Sequence, residues 1–124
     1  MNVVDSSGWL EYFANASNAA FFAPPIESSK DLIIPVLTLF EVYKRVAQQK
    51  GPDDAMAAVG LMTQQGDVID LTASLALSAA ELSWRLKLPM ADSIILATAQ
   101  AYQATLWTLD ADFEGMPGVK YVAK

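Results

Sequence analysis

The sequence predicts an α/β fold with a mostly parallel central sheet covered on both faces by helices. Two observations lead there. Short apolar runs alternate with longer stretches whose apolar residues recur at helical spacing. Strands alternating with helices assemble as right-handed crossover units, which build parallel sheets. The 124 residues carry no repeat, low-complexity tract or charge block. Gly51-Pro52 and Gly115-Met116-Pro117-Gly118 punctuate the chain as turns rather than linkers, so residues 1–124 are expected to form one domain.

Taken in order, residues 1–4 form a short apolar strand that stops at Asp5. Ser6-Ser7-Gly8 opens a helix that continues through Trp9, Leu10, Tyr12 and Phe13. Phe21-Phe22-Ala23-Pro24-Pro25 reads as a short helix or loop ended by the prolines. Residues 32–35 suit a buried strand, followed by a helix with Leu37, Phe40, Val42 and Val46 on its apolar side. Asp53 and Asp54 behind Pro52 start another helix, running to about residue 65. Residues 68–71 read as a strand, and Thr72 caps a helix through Leu86. Pro89 precedes a helix over residues 91–102. Residues 105–108 form a strand, 110–113 a turn or half-helix, and 119–122 a last strand.

Composition removes more functions than it suggests. Cysteine is absent, which excludes disulfides, zinc–thiolate sites and thiol nucleophiles. Histidine is absent too, so Ser-His-Asp catalysis and any histidine acid or base are excluded. Carboxylate chemistry, alone or around a metal, is left. A net charge of −6 argues against a simple nucleic-acid binder but is compatible with a nuclease that presents acids to a metal. The 53% hydrophobic content slightly exceeds the ordinary range, which hints at a buried interface. The apolar runs are too short to span a membrane and the start lacks a basic region. A cytoplasmic protein without membrane contact is the expectation.

In open parallel sheets ligands bind beyond the carboxyl ends of the strands. Asp5 and Asp110 fall there, Asp92 lies near a helix start, and Glu41 sits early in the helix after the second strand. Each has an ordinary alternative. Asp92 can be a helix-terminal acid, Glu41 a partner of Lys44 or Arg45, and Asp110 and Asp112 turn residues. Asp5 is hardest to dismiss, because an acid closing a buried strand is costly without hydrogen bonds or a cation. Gathered in one place, two carboxylates about 4 Å apart repel by roughly 4 kcal/mol at an effective dielectric near 20. Mg²⁺ or Mn²⁺ suits such an all-oxygen cluster, and hydrolysis of phosphodiesters is the chemistry such a site supports.

Four segments then resemble one known family, the PIN-domain nucleases, and within it the VapC-type toxins of toxin–antitoxin pairs. They are Val3-Val4-Asp5-Ser6-Ser7, Thr38-Leu39-Phe40-Glu41-Val42, Leu88-Pro89-Met90-Ala91-Asp92-Ser93-Ile94-Ile95-Leu96-Ala97-Thr98-Ala99, and Leu106-Trp107-Thr108-Leu109-Asp110-Ala111-Asp112-Phe113. The resemblance implies a PIN-like three-layer α/β/α fold and Mg²⁺- or Mn²⁺-dependent endoribonuclease activity. It makes Asp5 and Asp92 the principal metal ligands, with Glu41 completing the shell or positioning the attacking water. Asp110 would bind metal directly or through water. Ser7 and Thr108 resemble the hydroxyls that support this site, and Asp112 is a supporting acid beside Asp110. The implied partners are an RNA substrate, a VapB-type antitoxin and a second copy in a homodimer.

Lys44, Arg45, Arg85 and Lys87 are candidate RNA contacts, against surface ion pairing with Glu41 and Glu81 as the ordinary reading. Trp9, Tyr12, Phe13, Phe21 and Phe22 offer an antitoxin groove or plain core packing. Two further functions stand beside the toxin ribonuclease. One is a PIN nuclease of RNA processing. The other is a metal-free binding or regulatory domain, in which Asp92→Asn would change nothing.

Overall fold

The structure, a computed structural model, describes residues 1–124 and every side chain except that of Ser29. Each strand is three or four residues long, and each of the first four is followed by a crossover to a parallel strand. The order along the chain is β1 (Asn2–Val4), α1 (Ser6–Phe13), α2 (Ala19–Glu27), β2 (Leu32–Pro35), α3 (Val36–Lys50), α4 (Pro52–Gln65), β3 (Asp67–Ile69), α5 (Ala73–Leu86), α6 (Met90–Ala101), β4 (Thr105–Thr108) and β5 (Val119–Tyr121). The five strands pair in the order β3-β2-β1-β4-β5, and every pair is parallel. The α/β architecture is therefore as expected, with a sheet that is wholly parallel.

The two-residue period of the strands divides the core. Val3, Ile33 and Leu106 point to one face and pack with Ala79 and Leu82 of α5, Ile95 of α6 and Phe113. Val4, Leu32 and Ile34 point to the other and pack with Trp9 of α1, Phe22 and Ile26 of α2, Val42 of α3 and Met62 of α4. Helices thus cover both faces, which is why the central strands read as continuous apolar runs.

Two local expectations are corrected. Pro24 and Pro25 do not end α2 but lie inside it, and the helix runs on to Glu27. Phe22, Pro25 and Ile26, at helical spacing, are buried together, so packing outweighs the loss of two backbone donors. The third strand covers Asp67–Ile69 rather than residues 68–71. Its partner β2 ends at Pro35, opposite Ile69, where α3 begins, so Asp70 and Leu71 have no strand to pair with. Gly8 shows why α1 can sit so close. A Cβ there would meet the Phe22 ring at 2.5 Å and the Val4 side chain at 2.8 Å.

Candidate active site

The chain runs from β1 outward to β3, then returns to place β4 on the other side of β1. That reversal opens a crevice at the carboxyl ends of β1 and β4, where α/β proteins bind ligands. Asp5 follows β1 and Asp110 lies two residues past β4. The backbone N–H of Asp5 donates to the Trp107 carbonyl at 3.0 Å, which locks the two strand ends together.

Asp5 caps α1. Its Oδ1 accepts from the Ser6 N–H at 2.7 Å, and its Oδ2 accepts from the Thr108 hydroxyl at 2.8 Å and the Ser7 hydroxyl at 3.2 Å. Thr108 in turn accepts from the Asp110 N–H at 2.8 Å, and Ser7 accepts from the Leu109 N–H at 3.3 Å. These two hydroxyls join the ends of β1 and β4 to the loop that carries Asp110. Asp5 is only 3% exposed, and burial raises its carboxyl above the usual range despite those donors, with the Asp110 charge adding to the rise.

Glu41 projects from α3 and accepts from the Ser6 hydroxyl at 2.9 Å. The same hydroxyl lies 3.4 Å from Asp5 Oδ1, so Ser6 bridges the two acids. Burial raises the Glu41 carboxyl, and the Asp5 charge raises it further. The surface pairing with Lys44 or Arg45 does not form, since the one ion pair among the described residues is Arg85–Glu81, at 3.9 Å.

Asp92 stands in the first turn of α6. Carboxylate oxygens of Asp92, Asp110 and Asp112 lie within 4.8 Å of one another. Asp110 caps a single 3-10 turn, Ala111–Phe113, by accepting from the Asp112 N–H at 2.9 Å, and this turn aims both acids toward α6. Burial first, then a hydrogen bond and charge from Asp110, then the charges of Asp5 and Asp112, push the Asp92 carboxyl up to about 8. Without a cation the cluster therefore retains a proton near neutral pH.

The structure thus brings Asp5, Glu41, Asp92 and Asp110 into one place, together with Ser7 and Thr108. Asp112, expected to be supporting, shares the closest acid group, while Asp5 stands beside it with donors on both oxygens. Sequence reasoning missed Ser6, whose signal was its place between the strand-ending acid and the helix start. The basic residues divide. Arg45 lines a groove shared with Ser7 and Asp110. Lys44 lies 6.0 Å over the Phe40 ring, Arg85 pairs with Glu81, and Lys87 takes a left-handed conformation at the end of α5. Of the aromatic residues, Trp9 and Phe22 are buried core, Phe21 packs on Trp107, and Tyr12 and Phe13 are partly buried.

Family and structural comparisons agree with the α/β fold. A PIN-domain family model matches residues 3–119, so the chain belongs to the PIN-domain family. No curated protein matches the sequence. Among solved structures, a toxin–antitoxin complex from Klebsiella pneumoniae is 24% identical with a TM-score of 0.79, covering 97% of this chain and 96% of that one. VapBC2 from Rickettsia felis, bound to a DNA fragment from its promoter, is 16% identical with a TM-score of 0.75, covering 98% and 97%. VapC20 from Mycobacterium tuberculosis, described as a sarcin–ricin loop cleaving toxin, is 19% identical with a TM-score of 0.75, covering 94% and 95%. No helix among the described residues is long and apolar enough to cross a membrane.

Proposed function

We propose that this chain is a Mg²⁺- or Mn²⁺-dependent endoribonuclease of the VapC type, acting in the cytoplasm as the toxin of a toxin–antitoxin pair. The carrying observation is the acid cluster of Asp92, Asp110 and Asp112 at the β1–β4 crevice, with Asp5 and Glu41 beside it. The donor set fits a hard divalent cation: it is all oxygen, and none of these acids is ion-paired among the described residues. Asp5, Asp92 and Asp110, with Asp112, would hold the ion by carboxylate oxygens. A bound cation supplies Lewis-acid stabilisation of the scissile phosphate and a water nucleophile at neutral pH.

The chain's own groups do the positioning. Ser6, Ser7 and Thr108 fix both oxygens of Asp5, and Ser6 also holds Glu41 by Oε1. The other oxygen of Glu41 is left to orient the attacking water and take its proton.

The solved toxin–antitoxin complexes that share the fold support a VapB-type antitoxin as partner. The homodimer has support in α5, which is apolar on two opposite sides. Leu75, Ala79 and Leu82 face the core, while Leu77 and Trp84 are 73% and 83% exposed. Trp84→Glu should give a monomer by sedimentation; an unchanged dimer would place the interface elsewhere.

Cleavage of a defined RNA set with Mn²⁺, with Mg²⁺ and with EDTA, comparing wild type and Asp92→Asn, tests the activity. Metal-dependent cleavage lost in the variant is expected. Equal cleavage in every lane would mean a contaminant and would overturn the reading.

A further inference from the structure

We infer that Thr38 is a positioning residue for Glu41, its buried hydroxyl donating to the Oε2 oxygen of that carboxylate in the working site. The inference rests on the ribonuclease reading above, in which Glu41 orients the attacking water. Among the described residues the buried polar side chains are Asp5, Thr38, Ser93, Thr98 and Thr108. All but Thr38 have partners. Thr108 donates to Asp5 at 2.8 Å, and on α6 Ser93 and Thr98 donate back to the Met90 and Ile94 carbonyls at 2.7 and 2.8 Å. Thr38 is also helical, in the first turn of α3, yet its Oγ1 has no partner among the described residues. A hydroxyl taken out of water without a hydrogen bond costs stability that valine, of nearly the same shape, would not. Such groups are few in folded proteins, and each calls for a cause.

The neighbourhood of Thr38 supplies one. Thr38 and Glu41 are three residues apart on α3, a spacing that brings Cβ atoms to about 5–6 Å on one side of a helix. Helical side chains lean toward the N-terminus, so the Glu41 side chain leans back over the turn that carries Thr38. Val42, four residues on from Thr38, packs with Val4 and Trp9, which turns this side of α3 toward β1 and α1. Two of the site's carboxylates stand there. Asp5 is already supplied, since Oδ1 accepts from the Ser6 N–H and Oδ2 from the hydroxyls of Ser7 and Thr108. Glu41 has one donor, the Ser6 hydroxyl on Oε1, and none on Oε2 among the described residues. The hydroxyl without an acceptor and the oxygen without a donor thus lie one helical turn apart.

A carboxylate oxygen accepts at two positions. With Oε1 on Ser6 and Oε2 on Thr38, the plane of the carboxylate is fixed, and the second position of Oε2 faces the water whose proton it takes. Without the Thr38 hydroxyl the carboxylate hinges on Ser6 alone and is free to turn from the water, which costs the reaction its alignment.

Steady-state cleavage of a fluorogenic RNA oligonucleotide by the full chain in Mn²⁺, with thermal melts in EDTA, tests this. Thr38→Val should lower kcat about 10- to 100-fold, the range for residues that orient the groups of a metal site, with KM little changed. Its metal-free fold should melt at or above the wild-type temperature, because the unpartnered hydroxyl is gone. Thr38→Ser should do the reverse, with kcat near that of wild type and a lower melting temperature from the lost methyl group. Thr98→Val, which removes a hydroxyl that already has a partner, should leave kcat unchanged. A hydroxyl that only supports the fold would move both readouts together, so a Thr38→Val chain that melts below wild type or fails to fold overturns the inference. So does Thr38→Val with wild-type kcat, or Thr38→Ser with a kcat as low as that of Thr38→Val. In each of those cases wild-type cleavage stands, and the ribonuclease reading with it. A wild type with no metal-dependent cleavage overturns both.

Discussion

Asp5 and the Asp92–Asp110–Asp112 group are neighbouring acids with opposite supports. Asp5 is buried, and both its oxygens accept hydrogen bonds from the Ser6 N–H and the hydroxyls of Ser7 and Thr108. The other three face one another across less than 4.8 Å, with no ion pair among the described residues to offset their charge. The contrast separates two jobs. Hydrogen bonds hold both Asp5 oxygens in place and offset part of the cost of burying it, so Asp5 is the fixed corner of the cluster. The group of three has no such donors from Ser6, Ser7 or Thr108, and on the proposed reading it is where a cation would replace the retained proton.

The largest effect should come from breaking the open side. Asp92→Asn removes one charge from the group, and the account predicts a loss of cleavage of about a thousandfold or more, the scale of several kcal/mol of charge stabilisation. Stability of the metal-free protein at neutral pH should hold or rise, because a neutral amide sits beside Asp110 without having to retain a proton. Asp5→Ala should also abolish cleavage, yet lower the melting temperature, because buried donors lose their acceptor. If both variants shifted stability in the same direction, the division between them would fail.

Thr108→Val probes the hinge between the two. Its hydroxyl donates to Asp5 and accepts from the Asp110 N–H, both at 2.8 Å, and it is fully buried. The substitution should cost about 1–3 kcal/mol of stability and about 10- to 100-fold in cleavage, as for other residues that orient metal ligands. Denaturant melts and initial rates measure both.

A smaller effect is the pH dependence of the metal-free fold. The Asp92 carboxyl is pushed up to about 8 from an ordinary 3.8 by burial and then by Asp110. Between those values the native state holds a proton that the unfolded chain has released, so stability should fall as pH rises from about 5 to about 8. Thermal melts in EDTA should show that slope, and Asp92→Asn should flatten it. A wild type whose stability rises with pH over this window would contradict the cause assigned.

Most of the fold was legible because a wholly parallel, doubly covered sheet leaves plain marks. The strands are continuous apolar runs and Asp53, Thr72 and Pro89 announce helices. What was not legible depended on partners. The Pro24-Pro25 pair looked like a helix end until Phe22 and Ile26 were seen buried beside it. The end of β3 is set by the place where β2 turns into α3, which residues 67–71 do not encode themselves. In the site, acids at strand ends and helix starts could be gathered by topology, since Asp5 and Asp110 follow adjacent strands. The closeness of Asp112 depends on the 3-10 turn capped by Asp110, and Ser6 as a bridge depends on where α3 delivers Glu41. Both are side-chain facts with no periodic signature.

The most direct test is calorimetric titration of the metal-free protein with Mn²⁺ at neutral pH, in buffers of different ionisation enthalpy. The account predicts saturable binding with proton release, as the cation displaces the proton retained around Asp92, and a large loss of affinity in Asp92→Asn. Equal Mn²⁺ affinity in wild type and Asp92→Asn, or no binding by the wild type, would contradict it.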